Sequence, residues 1–211
     1  MKIAVSYISS LYDKVKTIEL INETNASSLH ADLMDGCYVE NKNFDINELD
    51  GIYENNRLPI EFHLMVSNPE ELVNSLYKYN PSCIYIHPST CKNIEDLINV
   101  LKSKNIEIGI AINPDERVRD FEYLFKKIDR VLLMTVKPGL GGQEFIMDTI
   151  VSLNELKIYK DVYDFKIYVD GGINDETIKL LGDIDGVVVG SFICKSENYQ
   201  NQINKLIVKN N

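Results

Sequence analysis

The feature that most constrains this chain is a repeated rhythm. Eight short apolar runs, several of them β-branched, each end on polar or glycine residues and give way to a stretch of helical period. They cover residues 3–6, 28–32, 60–63, 84–87, 108–113, 131–135, 167–170 and 187–190, so their ends lie 20 to 35 positions apart. That spacing holds one helix and two loops per gap, the signal of alternating β/α structure. Some helices are visible singly: Ile94, Leu97, Ile98 and Leu101 form an apolar stripe, as do Tyr199, Ile203, Leu206 and Ile207. Asn68-Pro69-Glu70-Glu71 reads as a helix start, with Asn as cap and acids in the first turn. Eight such units in 211 residues, without a linker or low-complexity break, fit one closed (β/α)8 TIM barrel spanning 1–211, near that fold's lower limit of about 200 residues. An open doubly wound sheet is the structural alternative.

Composition narrows the function classes. A formal charge of −10 without a basic stripe argues against nucleic acid and anionic membrane as partners. The start of the chain lacks the basic and apolar regions of a signal peptide, and no stretch approaches a spanning helix, so a cytoplasmic protein is expected. Cys37, Cys83, Cys91 and Cys194 show no paired spacing, which fits reduced thiols.

In a barrel of this kind the chemistry sits at the C-terminal strand ends. Here those ends are polar: Ser6, His30 with Asp32, His63, His87, Asn113, Thr135 and Asp170, then Gly190 and Ser191. His30 and Asp32 are two apart on a strand and share a face. An inward His and Asp are costly unless paired or bound to metal. Alone, each is more often a satisfied polar group. Together, His30, Asp32, His63 and Asp170 form a candidate site for zinc, iron(II), manganese or cobalt. A second constellation is glycine-rich: Gly139, Leu140, Gly141 and Gly142 after the sixth run, Gly171 and Gly172 after the seventh, Gly190 and Ser191 after the eighth. One such loop would be ordinary turn chemistry. Three at consecutive late strand ends favour phosphate, held by backbone amides. Met34, Met65 and Met134 flank the polar ends and offer a soft, water-excluding surface.

Through these residues the chain resembles the ribulose-phosphate 3-epimerase family. The similar stretches are Leu29-His-Ala-Asp-Leu-Met-Asp35, Pro59-Ile-Glu-Phe-His-Leu-Met-Val66, Leu132-Leu-Met-Thr-Val-Lys-Pro-Gly-Leu-Gly-Gly-Gln143, Val169-Asp-Gly-Gly172 and Gly190-Ser191. The resemblance implies four metal ligands, His30, Asp32, His63 and Asp170. Asp32 and Asp170 would double as the catalytic acid/base pair, and His63 and Asp170 would also face substrate. It implies a substrate contact at Ser6 and a phosphate site at Gly139 to Gly142, Gly171, Gly172, Gly190 and Ser191. The expected partners are a small phosphorylated ketose and further copies of the chain in a homo-oligomer.

There are departures from the family pattern. The first run lacks the proline usual before Ser6 and the Ala-Asp pair usual after it, Cys37 stands where histidine is frequent, and Lys137 where Asn, Asp or Glu is common. Glu40-Asn-Lys-Asn-Phe44 replaces a more apolar loop. These bear on the sugar more than on the reaction. A hexulose 6-phosphate such as allulose 6-phosphate is therefore the alternative substrate. A related decarboxylase barrel would carry Asp-x-Lys-x-x-Asp where this chain has His30-Ala-Asp-Leu-Met-Asp35, without the lysine. A non-catalytic phosphosugar-binding barrel would have no need of two inward carboxylates.

Overall fold

The computed structural model describes residues 1–43 and 45–207. Eight parallel strands close on themselves in chain order. They are β1 (Lys2–Ser6), β2 (Ser28–Met34), β3 (Ile60–Met65), β4 (Cys83–Ile86), β5 (Glu107–Ile112), β6 (Arg130–Met134), β7 (Lys166–Asp170) and β8 (Gly186–Val189). Every expected run lies on a strand, within two residues at either end, and the ladder between β1 and β8 completes the TIM barrel. β2 and β3 continue to Met34 and Met65, which pair with each other. His87, Asn113, Thr135 and Gly190 fall just beyond their strands.

The helices are α1 (Lys14–Asn22), α2 (Ile46–Asn55), α3 (Pro69–Leu76), α4 (Ile94–Ser103), α5 (Thr149–Lys160), α6 (Ser191–Cys194) and α7 (Tyr199–Ile207). The α4 stripe is buried throughout and Asn93 caps the helix by accepting from the Asp96 amide. In α7, Tyr199, Ile203 and Leu206 are buried but Ile207 faces outward. Three details depart from the sequence reading. Asn68 occupies the cap position of α3 without a side-chain cap bond, its Oδ1 buried and unpartnered. The gaps before β6 and before β8 hold 3-10 helices, Val118–Leu124 and Thr177–Leu180, where α-helices were expected. These are the two shortest steps along the chain, and a 3-10 helix rises about 2.0 Å per residue against about 1.5 Å for an α-helix, so fewer residues cross the barrel wall.

Strand alternation divides the buried residues into two populations. Outward positions such as Leu29, Ala31, Phe62, Leu64, Ile108 and Ile110 join the helices in one large apolar shell. Inward positions form a separate, smaller cluster that includes Ala4, Tyr85, Ala111, Leu132, Tyr168 and Val188. Two glycines shape it. Tyr85 lies in register with Gly109, and Tyr168 with Gly186. A Cβ on Gly109 would sit 2.2 Å from Tyr85 Cδ1, and one on Gly186 would sit 2.3 Å from Tyr168 Cε1. Each tyrosine thus fills the space left by the glycine on the next strand. Gly109→Val should therefore overpack the interior and cost at least the roughly 1–3 kcal/mol typical of such changes. A urea denaturation midpoint equal to wild type would show that Tyr85 does not need this space.

Candidate active site

Four side chains converge where the carboxyl ends of β2, β3 and β7 meet. One ligand-capable atom each from His30, Asp32, His63 and Asp170 lies within 4.8 Å of all the others. Ladder register accounts for part of this: Asp32 pairs with His63, and His30 with Glu61. His63 Nδ1 is 3.2 Å from Asp32 Oδ1 and 3.9 Å from Asp170 Oδ2. The His30 Nε2 atom is buried without a hydrogen-bond partner, with Asp32 Oδ1 at 3.5 Å. A buried, orphaned imidazole nitrogen aimed at two carboxylates and a second imidazole suits a divalent cation, since two neutral nitrogens and two anionic oxygens satisfy its charge and its borderline softness.

The surrounding residues hold this set in place. Ser6 donates to Asp32 Oδ2 at 2.7 Å. The Thr135 hydroxyl donates to the carbonyls of Asp170 and Gly171, fixing the backbone that carries the second carboxylate. Each imidazole turns its other nitrogen to a further residue. His30 Nδ1 lies 2.9 Å from Glu61 Oε1, and His63 Nε2 lies 2.9 Å from His87 Nε2. His87 in turn lies against the Tyr38 ring, and Asn113 donates to the Tyr38 hydroxyl.

The two carboxylates differ electrically. Burial opposes ionisation of Asp32, but His30 and His63 hold it well below the usual carboxylate range. Burial, and then the charge of Asp32, push Asp170 up to about 7. Burial alone would lower His30, yet Asp32 and Glu61 lift it to about 10. Burial dominates at His63 and lowers it.

A cavity opens above these groups, lined by Ser6, Asp32, Asp170, Met34, Met65 and Met134 on one side. On the other side it is lined by Gly139, Leu140, Gly141, Gly142, Gly171, Gly172, Gly190 and Ser191. His30 and His63 lie beneath it, fully buried. The candidate metal, substrate and phosphate residues therefore gather at one mouth, whereas His87, Asn113 and Thr135 do not line the cavity. The glycines do so for different reasons. Gly172 adopts φ +64° with the Phe145 amide nitrogen 2.5 Å from where a Cβ would be, so no other residue fits there. At Gly190 a Cβ would make only ordinary contacts, the nearest with Ser6 O at 3.5 Å. Among the described residues, the amides of Gly141, Gly142, Gly172 and Ser191 donate to no protein acceptor.

The model of the "Ribulose-phosphate 3 epimerase family" matches residues 2–194 of this chain. A ribulose-phosphate 3-epimerase of Helicobacter pylori (strain J99) is 35% identical over 205 residues, covering 94% of this chain and 93% of that protein. The chain belongs to the ribulose-phosphate 3-epimerase family. It is accordingly an epimerase. A family member from Methanocaldococcus jannaschii is 32% identical over 211 residues, with 98% and 89% covered. Among solved structures, phosphoribosyl anthranilate isomerase from Thermococcus kodakaraensis has a TM-score of 0.64 at 18% identity, covering 100% of this chain and 99% of that one, a likeness of fold alone. Among the described residues no helix is long and apolar enough to cross a membrane, and Cys37, Cys83, Cys91 and Cys194 are all unpaired.

Within this epimerase two of the stretches that depart from the family pattern meet, the loop after β2 and the loop after β6. Asn41 donates to Gly139 O at 2.6 Å, and Val39 packs where a Gly139 side chain would be, so the loop after β2 leans on the loop after β6. Phe44 of that loop lies outside the described residues. Cys37 is exposed, and Lys137 lines the cavity. Lys137 is one cation near the glycine loops. Lys195 is a second, its Nζ 3.3 Å from the Cβ position of Gly142 and beside Ser191. Nothing in its local sequence marks it, because it approaches from the end of α6. Glu61 was also missed, reading as one more polar residue of a strand.

Metal binding should depend on pH with a definite sign. Ligands must shed protons to bind metal. His30, lifted by Asp32 and Glu61, and Asp170, lifted by burial and Asp32, both hold a proton more tightly than usual, and a metal must displace it. Zinc affinity should rise from pH 6 to pH 8, and titration calorimetry in buffers of different ionisation enthalpy should report proton release. An affinity independent of pH would contradict this electrostatic description.

Proposed function

We propose that this enzyme interconverts D-ribulose 5-phosphate and D-xylulose 5-phosphate by inversion at C3. The observation that carries the reading is a pair of inward carboxylates on β2 and β7, of unequal acidity, clustered with two imidazoles and beside unpaired amides. Inversion beside a ketone needs one base to take the C3 proton and one acid to return a proton on the other face. Asp32, the stronger acid, and Asp170, the weaker one, supply such a pair, and they exchange roles on each turnover. A divalent ion held by His30, Asp32, His63 and Asp170, whether zinc, iron(II), manganese or cobalt, would supply Lewis acidity that stabilises the enediolate. Ser6 holds Asp32 in orientation, and Met34, Met65 and Met134 exclude water from the reacting carbons. The free amides of the Gly141-Gly142 segment, Gly172 and Ser191 suit the phosphate, with Lys195 adding charge from the rim.

The alternative substrate is a hexulose 6-phosphate. It is supported by a second cavity of about 560 Å³ beyond the Gly139–Gln143 loop, lined by Tyr38, Asn41, Asn113 and Lys137 among others. Cytoplasmic location and assembly into a homo-oligomer belong to the same proposal.

A coupled assay with ribulose 5-phosphate and allulose 6-phosphate separates the two substrates, and chelation should abolish turnover of whichever is used. In heavy water the product should carry deuterium at the inverted carbon. Asp170→Asn should lose at least about 100-fold in rate, the lower range for a missing acid/base. Metal content has to be measured on the same sample, because Asp170 is also a proposed ligand. A metal-loaded Asp170→Asn enzyme turning over at the wild-type rate would remove Asp170 from its role.

The phosphate assignment has its own test. Lys195→Ala should raise KM roughly fivefold with kcat unchanged, the equivalent of about 1 kcal/mol for a solvent-facing charge pair. A change confined to kcat would place Lys195 outside the phosphate site.

A further inference from the structure

Beneath the candidate metal site runs a chain of charged side chains that the reaction itself does not use. Glu61, on β3, is almost fully buried, and its two oxygens serve different partners. Oε1 lies 2.9 Å from His30 Nδ1, and Oε2 accepts from Arg130 Nη1 at 3.1 Å. Arg130, the first residue of β6, also donates from Nε to Glu107 Oε2 at 2.6 Å and from Nη1 to the Tyr85 hydroxyl at 3.1 Å. Its guanidinium stacks over the Tyr168 ring at 4.8 Å. Glu107, the first residue of β5, reaches Lys166 Nζ at 2.9 Å, where the interior opens at the lower rim. The charges alternate in sign from His30 through Glu61, Arg130 and Glu107 to Lys166.

We infer that Glu61 and Arg130 are positioning residues that set the metal affinity of the site by fixing the tautomer and orientation of His30. The inference rests on the metal-site reading above. Packing alone does not explain the relay, since a buried ion pair is generally no more stabilising than apolar residues of the same volume. Its geometry points to direction. With Oε2 occupied by Arg130, Glu61 has one oxygen left and turns it to His30. An acceptor at Nδ1 keeps the proton on that nitrogen, so Nε2, which has no partner, is the nitrogen left to face Asp32 and a metal. Ligating imidazoles in general depend on such a second partner, and losing it typically costs about 10–100-fold in metal affinity. Without Arg130, Oε2 of Glu61 would have no donor among the described residues, and the carboxylate would no longer be held toward His30.

The test measures zinc dissociation constants by chelator competition on the full chain, with thermal unfolding followed in parallel. Glu61→Gln keeps the shape but removes the charge, and Arg130→Met removes the relay one step further out. Each should weaken zinc binding about 10–100-fold, and the double variant should bind no more weakly than the poorer single one, because Arg130 acts through Glu61. Long-range 15N NMR of the wild-type chain adds a readout that survives any folding failure of the variants. It should show His30 bonded to zinc through Nε2 in the loaded chain, with the proton kept on Nδ1.

Zinc on Nδ1, a variant that unfolds normally and binds zinc as wild type does, or losses that simply multiply in the double variant would each overturn the inference. A wild-type chain that binds no zinc would refute the metal-site reading and this one with it. Variants that bind zinc like a zinc-binding wild type refute this one alone.

Discussion

Every inward position of a closed eight-stranded barrel must be either packed or electrically compensated, because side chains fill the interior and leave no bulk water. That constraint governs this molecule. Where the interior is apolar, Tyr85 and Tyr168 fill the space opened by Gly109 and Gly186. Where it is charged, each ion has its counter-ion: Glu61 has Arg130, Glu107 has Arg130 and Lys166, and Asp32 has His30 and His63. Among the described residues, buried atoms without a partner remain near the mouth, namely His30 Nε2, His87 Nδ1 and Asn113 Oδ1, and of these only His30 Nε2 belongs to the metal-ligand set.

The outer shell makes this interior affordable. Leu, Ile, Val and Phe residues on the outward faces of the strands pack against the helices in a single continuous cluster, and burial of such area is the main favourable term in folding. The fold therefore does not depend on a branched apolar interior, and the barrel axis is free to carry charge. The same division of labour lets the mouth hold Asp32 and Asp170 at different acidities, with ligand atoms within 4.8 Å of each other. Their separation in acidity follows from unequal neighbours. Asp32 sits between two imidazoles, while Asp170 meets mainly burial and the charge of Asp32 itself.

The acidic net charge and the anionic substrate class are reconciled locally. The amides of Gly141, Gly142, Gly172 and Ser191 face the cavity without protein acceptors, and backbone donors need no change in net charge to bind an anion. Contacts between loops then shape the entrance. Asn41 binds Gly139 O and Ser9 crowds Gly141, so residues far apart in the chain determine how the glycine loop is presented.

The eightfold alternation, the strand positions and the convergence of His30, Asp32, His63 and Asp170 were legible in the sequence, because a period-two strand and a known barrel polarity suffice to put them on one face at one end. The glycine loops were legible for a similar reason, each following a strand end. The 3-10 helices before β6 and β8 were not, since period alone does not distinguish a compressed crossover from an α-helix. Nor was the silent cap at Asn68, which depends on side-chain direction. Glu61, Arg130 and Lys195 acquired their meaning only from tertiary structure. Glu61 and Arg130 are 69 positions apart, and no local pattern reports that closure of the barrel brings their charges together behind His30. The sequence determined what kinds of groups line the interior; closure of the sheet decided which of them touch.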